Sequence, residues 1–170
     1  MKIAVRTVKL NSMKKLSLLP VLVILFSLQG CSWRIGFYIA NSGNEPLTVD
    51  VKLMDAPGTF PIFHYPGRYF SPRKYALQKD NSVDFNTASD IKTDTLEKYS
   101  HYKLQLPPHT AVEIGELQND HYEKHDQYFI NGRVFNLEKI TISEKKIEIV
   151  PAVFDNYFKN EKNNGVYFVL

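Results

Sequence analysis

Between Trp33 and Leu170 the apolar residues of this chain recur at every second position, in short runs punctuated by Pro, Gly, Asn and Asp. Trp33, Ile35, Phe37 and Ile39 alternate with Arg34, Gly36, Tyr38 and Ala40. A period of two puts alternate side chains on opposite faces of a strand, so it predicts a half-buried strand and argues against an amphipathic helix. Asn41-Ser42-Gly43-Asn44 and Pro46 then lead into Leu47–Leu53, and the two runs read as a hairpin.

The pattern continues along the chain. Tyr102–Leu106 and Ala111–Leu117 flank a Pro107-Pro108-His109 turn, with Val112 and Ile114, and Glu116 at the next position, on one face. Asn131-Gly132 between Tyr128–Ile130 and Arg133–Phe135 is a strong hairpin signal. Ile140 and Ile142 alternate up to a Glu144-Lys145 turn, and Ile147 and Ile149 alternate back. After Pro151, residues Val153, Phe154, Tyr157 and Phe158 fall at helical spacing, and Asn163-Asn164-Gly165 leads into a final strand, Val166–Leu170. The polar stretch from Gln78 to Thr95 reads as a long surface loop, with a turn of helix over Thr95–Tyr99. Eight or nine short strands with little helix predict an all-β, antiparallel two-sheet sandwich with a short C-terminal helix before the last strand; a barrel is the alternative. The Cys-Trp-Cys pattern of antibody domains is absent, so any immunoglobulin likeness is architectural only.

Residues 1–30 have a different character. Lys14 and Lys15 precede a 13-residue apolar run, residues 16–28, and Leu28-Gln29-Gly30-Cys31 follows. The run is shorter than the roughly 20 residues a spanning helix needs. Basic residues, apolar core and a small residue before the cysteine are the three parts of a secretory leader. The arrangement resembles the lipobox of bacterial lipoproteins. That resemblance covers residues 13–32 and implies cleavage before Cys31, diacylation of its thiol and a mature domain spanning 31–170. Met13 is the better initiator, since Met1–Ser12 precede the basic residues. By the same resemblance, Ser32 after the cysteine implies sorting to the outer membrane rather than retention in the inner one. Only Ser32 lies between Cys31 and Trp33, so the domain is expected close against the bilayer, with Trp33 either starting a core strand or, with Arg34, resting at headgroup level.

Charge narrows the partners. Five of the 21 Lys and Arg and none of the 18 Asp and Glu lie in residues 1–30, so residues 31–170 carry a net of −2 in place of +3. Nucleic-acid binding, which needs a clustered positive surface, is excluded as an expectation. Cys31 is the only cysteine, so an acylated chain has no disulfide and its core must hold it together.

Chemistry is sparse. No nucleophile elbow, His-Glu-x-x-His or phosphate-binding glycine loop is present, and no cofactor is expected. His121, Glu123 and His125 could share one side of an extended chain as weak metal ligands, although the charged surroundings suit a solvated loop. The aromatic stretch 60–75, broken by Pro61, Pro66 and Pro72, either fills the core or offers a glycan- or small-ligand-binding surface through Tyr65, Arg68, Tyr69, Arg73 and Tyr75. The expected role is a non-catalytic envelope lipoprotein that contacts another envelope protein, with ligand binding by the aromatic stretch as the alternative.

Overall fold

Strand β1 (Arg34–Asn41) is buried at every position after Arg34, because both of its faces are covered. Ile35, Phe37 and Ile39 point into the main core, while Tyr38 and Ala40 join a second apolar cluster on the opposite face. A computed structural model describes residues 32–57, 59–67, 72–97, 100–161 and 165–170 of the chain. Residues 1–31, with the expected leader and Cys31, lie outside the described residues.

Within Ser32–Leu170 the strands form two main sheets. The six-stranded sheet contains β1, β4 (Arg73–Leu77), β5 (Val83–Asp90), β8 (Thr110–Gln118), β12 (Lys159–Glu161) and β13 (Gly165–Val169), in the order β12-β13-β1-β8-β4-β5. The five-stranded sheet contains β2 (Leu47–Leu53), β6 (Thr93–Glu97), β7 (His101–Leu106), β10 (Leu137–Ile142) and β11 (Ile147–Ile149), in the order β11-β10-β2-β7-β6. Pairing is antiparallel in both, except that β13 runs parallel to β1, from Gly36↔Gly165 to Ala40↔Val169. Phe37, Phe63, Leu106, Val112 and Ile140 pack between the sheets. This is the all-β sandwich, and its short helix α1 (Phe154–Tyr157) precedes the last strand. Phe154 turns inward from α1 and stacks on Phe158 at 4.1 Å.

Three local expectations are corrected. First, β1 and β2 are not a hairpin but belong to different sheets. The Asn41–Pro46 segment is a corner between layers, held by the buried Asn41, whose Nδ2 donates to the carbonyls of Glu45 (2.8 Å) and Leu106 (3.2 Å). The Pro107–His109 segment is a second such corner, joining β7 of one sheet to β8 of the other, with His109 at φ 53°.

Second, residues 83–97 are two strands rather than a loop and a helical turn. β5 and β6 are edge strands of the two sheets with mostly exposed side chains. An edge strand with polar residues on both sides lacks the alternation that announces a strand. Lys98 and Tyr99 lie outside the described residues.

Third, Asn131-Gly132 does not close a hairpin. Ile130–Gly132 is a 3-10 turn, Gly132 takes φ 66°, and β9 (Arg133–Val134) pairs in parallel with β3 (Phe60–Pro61). A carboxylate oxygen of Asp120 accepts from the Ile130 N–H at 2.8 Å, so a side chain ten residues back claims the backbone that a local hairpin would use. The β10–β11 hairpin does form, turning through Ser143–Lys145 with Lys146 left-handed at φ 54°.

Candidate functional site

The outer face of the six-stranded sheet carries a cleft built on a repeated local pattern. Gly36-Phe37-Tyr38 in β1 and Gly165-Val166-Tyr167 in β13 run side by side, glycine opposite glycine and tyrosine opposite tyrosine. Each tyrosine ring lies back over the glycine of its own strand, where a Cβ would collide with it. With both glycines bare, Tyr38 and Tyr167 stack at 5.0 Å with 18° between their planes. Tyr38 also meets Tyr75 of β4 and Phe85 of β5 edge-on, each at 5.9 Å, and Tyr75 meets Phe85 at 5.7 Å. Such edge-to-face contacts suit the ring quadrupoles.

Phe85 owes its place to a bulge. Between Lys74↔Ser89 and Ala76↔Asp84 the register advances two residues on β4 and five on β5. Local hydrogen bonds hold the extra loop: Asp84 Oδ1 accepts from the Asn86 N–H at 3.0 Å, and the Thr87 hydroxyl donates to the Asp84 carbonyl at 2.7 Å. Thr87 Oγ1 also accepts from the Ala76 N–H at 2.7 Å. The bulge raises Phe85, half-exposed, as one wall of a cleft of about 310 Å3 whose other walls include Arg34, Tyr38, Arg73 and Tyr75. Bulges commonly re-aim side chains beside functional sites.

The two arginines differ. Arg34 is engaged: its Nη2 binds Oε1 of Glu113, whose side chain is wholly buried, and its Nε lies 2.8 Å from Glu116 Oε2. Tyr75 donates its phenol proton to Glu113 Oε2 at 2.9 Å. Burial pushes the Glu113 carboxyl above the ordinary glutamate range, while Arg34 and Tyr75 oppose the shift. Burial and the nearby Glu113 also raise the phenols of Tyr38 and Tyr75. Arg73, by contrast, is exposed at the cleft and has no ion-pair partner among the described residues. It is the group there with donors to spare.

Of the five ligand-binding candidates from the sequence, Arg73 and Tyr75 line this cleft. Tyr65 belongs to the main core and donates its hydroxyl proton to the Met54 carbonyl at 2.7 Å. Arg68 and Tyr69 lie outside the described residues. Phe63 fills the core and Phe60 is exposed, so the aromatic stretch divides between the two roles. Tyr38, Phe85 and Glu113 are not singled out by the sequence reading, and Arg34 enters it only as a residue at headgroup level, whereas the structure pairs it with Glu113 at the cleft. The signal that could have found Tyr38 is the Gly-x-Tyr pair, whose tyrosines occupy the outward positions of two neighbouring strands.

The metal candidates have separate engagements. The His121 ring stacks on Trp33 at 5.5 Å, His125 Nδ1 lies 2.7 Å from Asp155 Oδ2, and the exposed Glu123 donates its N–H to Gln127 Oε1 at 2.6 Å. Among the described residues no group of three or more His, Cys, Asp or Glu is placed to hold a metal ion. Asp155 also accepts from the Tyr122 hydroxyl. Burial alone would raise the Asp155 carboxyl, but the bonds from Tyr122 and His125 outweigh it and hold it below its usual range. His125 borders a second, largely apolar hollow of about 330 Å3 with Tyr128, Phe129 and Phe135.

No family model, no curated protein and no solved structure matches this chain.

Proposed function

We propose that this protein is a non-catalytic lipoprotein of the cell envelope, anchored through Cys31 in the outer membrane, whose cleft binds a small ring-shaped ligand carrying an anionic group. An acidic sugar has that chemistry. The observation that carries the reading is the free Arg73 beside the rings of Tyr75 and Phe85 in a cleft of about 310 Å3. That volume is at the lower end of the range of roughly 300–1,000 Å3 for small-ligand sites. An aromatic face stacks on a sugar ring, and a guanidinium takes a carboxylate with two parallel hydrogen bonds. The rings rest on Tyr38, itself packed over Gly36, so the cleft is preformed and little ordering entropy opposes binding.

Titration calorimetry of the detergent-solubilised full chain against glucuronic acid, galacturonic acid and their neutral counterparts tests this. Binding of an acid with the neutral sugar much weaker is expected, together with a loss of about tenfold for Arg73→Gln, the scale of one charge-assisted hydrogen bond. Equal affinity for acid and neutral sugar, or no change on removing the guanidinium, would sink the reading.

A second role, contact with another envelope protein, is favoured by the open edge at β6. There Thr93–Glu97 pairs with β7 alone among the described residues, and Leu96 is half-exposed. Such an edge accepts an added strand. A single stoichiometric partner crosslinked in intact envelopes, and lost when Leu96→Pro blocks the edge, is the expected result for this role. A partner retained by that variant would remove it.

A further inference from the structure

We infer that the end of the sandwich gathered round Asp120 is a membrane-docking surface whose occupant is the headgroup layer of the bilayer. This rests on the acylation of Cys31 proposed above. Trp33 is fixed there rather than dangling. Its N–H donates to Asn119 Oδ1 at 3.1 Å, its carbonyl accepts from the Asn119 N–H at 3.0 Å, and its indole N–H donates to the Asp120 carbonyl at 3.3 Å. The ring stacks on His121 and remains 41% exposed.

The same buried Asp120 organises the neighbouring surface. One carboxylate oxygen accepts from the His121 N–H and the other from the Ile130 N–H, each at 2.8 Å. Ile130 is 43% exposed and Tyr128, two residues earlier, 87%. Phe60, the register partner of Arg133, is 65% exposed. Half of the eight large apolar side chains exposed among the described residues therefore belong to this one linked set of segments.

Two arguments select a lipid surface as the occupant. The first is reach: Cys31 is two residues from Trp33, about 7 Å of extended chain. The polar layer of a leaflet is itself only about 5–7 Å deep. A diacylated Cys31 thus holds Trp33 within or against the headgroups, leaving little space for a protein between them. The second is chemistry. Trp and Tyr concentrate at membrane interfaces, where an apolar ring and a polar edge are both accommodated. The indole N–H is already satisfied by Asp120, so the ring can enter the interface without stranding a donor.

Trp33 is the only tryptophan in the chain, which makes it a reporter needing no label. The acylated full chain, its lipids verified by mass spectrometry, is reconstituted into vesicles of phosphatidylethanolamine and phosphatidylglycerol. Lipids brominated near the headgroup should then quench most of the Trp33 emission and shift it to the blue of the Cys31→Ser protein. In a Trp33→Phe background, tryptophan placed by Tyr128→Trp should also be quenched. Tryptophan placed by Glu45→Trp, beyond the far end of β1 and about 26 Å away by strand rise, should not. Water-like, unquenched Trp33 in protein that carries its acyl groups and sediments with vesicles would overturn the docking while leaving the anchor intact. Equal quenching at positions 33 and 45 would also overturn it. Protein found without acyl groups refutes the anchor, and the docking falls with it. Shielding of Trp33 from iodide in native envelopes but not in pure vesicles would assign the surface to a protein instead.

Discussion

Arg34 and Glu113 form an asymmetric pair across β1 and β8: the carboxylate is wholly buried, whereas the guanidinium is 45% exposed. Removing the cation by Arg34→Met leaves an uncompensated buried charge. A fully buried pair broken in this way costs about 3–5 kcal/mol, and with one partner half in water the expected loss at neutral pH is about 2–3 kcal/mol. Urea unfolding of the two proteins reads that difference directly, and a loss near zero would mean that Glu113 takes up a proton once the guanidinium is gone.

The same pair sets a pH dependence. Because burial raises the folded-state pKa of Glu113 above its ordinary value of 4.5, its contribution to stability is full below that value and declines as pH rises through the folded pKa. Glu113→Gln removes the proton exchange. The stability of the variant relative to the natural chain should therefore rise with pH above about 4.5 and then level off. A difference that is flat from acid to neutral pH would place the folded pKa at its ordinary value.

Asn136 is a buried side chain acting as a piece of strand. Its Oδ1 accepts from the Phe63 N–H at 2.8 Å, and its Nδ2 donates to the Phe63 carbonyl at 2.9 Å. Asn136→Ala leaves both backbone groups buried and unpaired, at about 1–3 kcal/mol each. A loss of about 2–4 kcal/mol in chemical denaturation is expected. Asn136→Asp keeps the acceptor but loses the donor and should also destabilise the fold.

In the core, the Tyr102 hydroxyl is buried with no hydrogen-bond partner among the described residues, and burial raises its pKa. A stranded hydroxyl costs about 1–3 kcal/mol. Tyr102→Phe keeps the ring and removes the stranded atom, so a gain of about 1 kcal/mol in unfolding free energy is expected. A loss would show that an unseen water serves the hydroxyl.

What the sequence made legible follows from range. β1, β2, β7 and β8 have one face in the main core, so their alternation is visible in the chain itself. The β10–β11 hairpin is equally local. Sheet membership is not, because an apolar run reads the same whether the next run pairs beside it or crosses to the other layer. For β1 and β2 the choice rests on Asn41, whose side chain bonds a carbonyl 65 residues away. The cleft was half legible for a related reason: Arg73 and Tyr75 stand in the aromatic stretch, but Phe85 comes from a bulge whose register no local pattern announces.

Two glycines separate the demands of the fold from those of the cleft. A Cβ on Gly115 would lie 2.6 Å from the Ile62 carbonyl oxygen, which already accepts from the Glu116 N–H at 2.9 Å. Backbone cannot withdraw without breaking that bond, so Gly115→Ala should cost about 2–3 kcal/mol, the upper part of the overpacking range. The three atoms nearest a Cβ on Gly36 all belong to the far end of the Tyr38 side chain, which can give way where backbone cannot. Gly36→Ala should therefore lose less stability, about 1 kcal/mol. The displaced ring, however, is the one that supports both Tyr75 and Phe85. The expected outcome is a reversal of rank: Gly115→Ala unfolds more easily yet keeps its affinity for the acidic sugar, while Gly36→Ala stays folded and binds weakly. Calorimetry and urea unfolding on both variants decide it. Unaltered binding by a folded Gly36→Ala protein would show that the ligand does not use the surface resting on Tyr38.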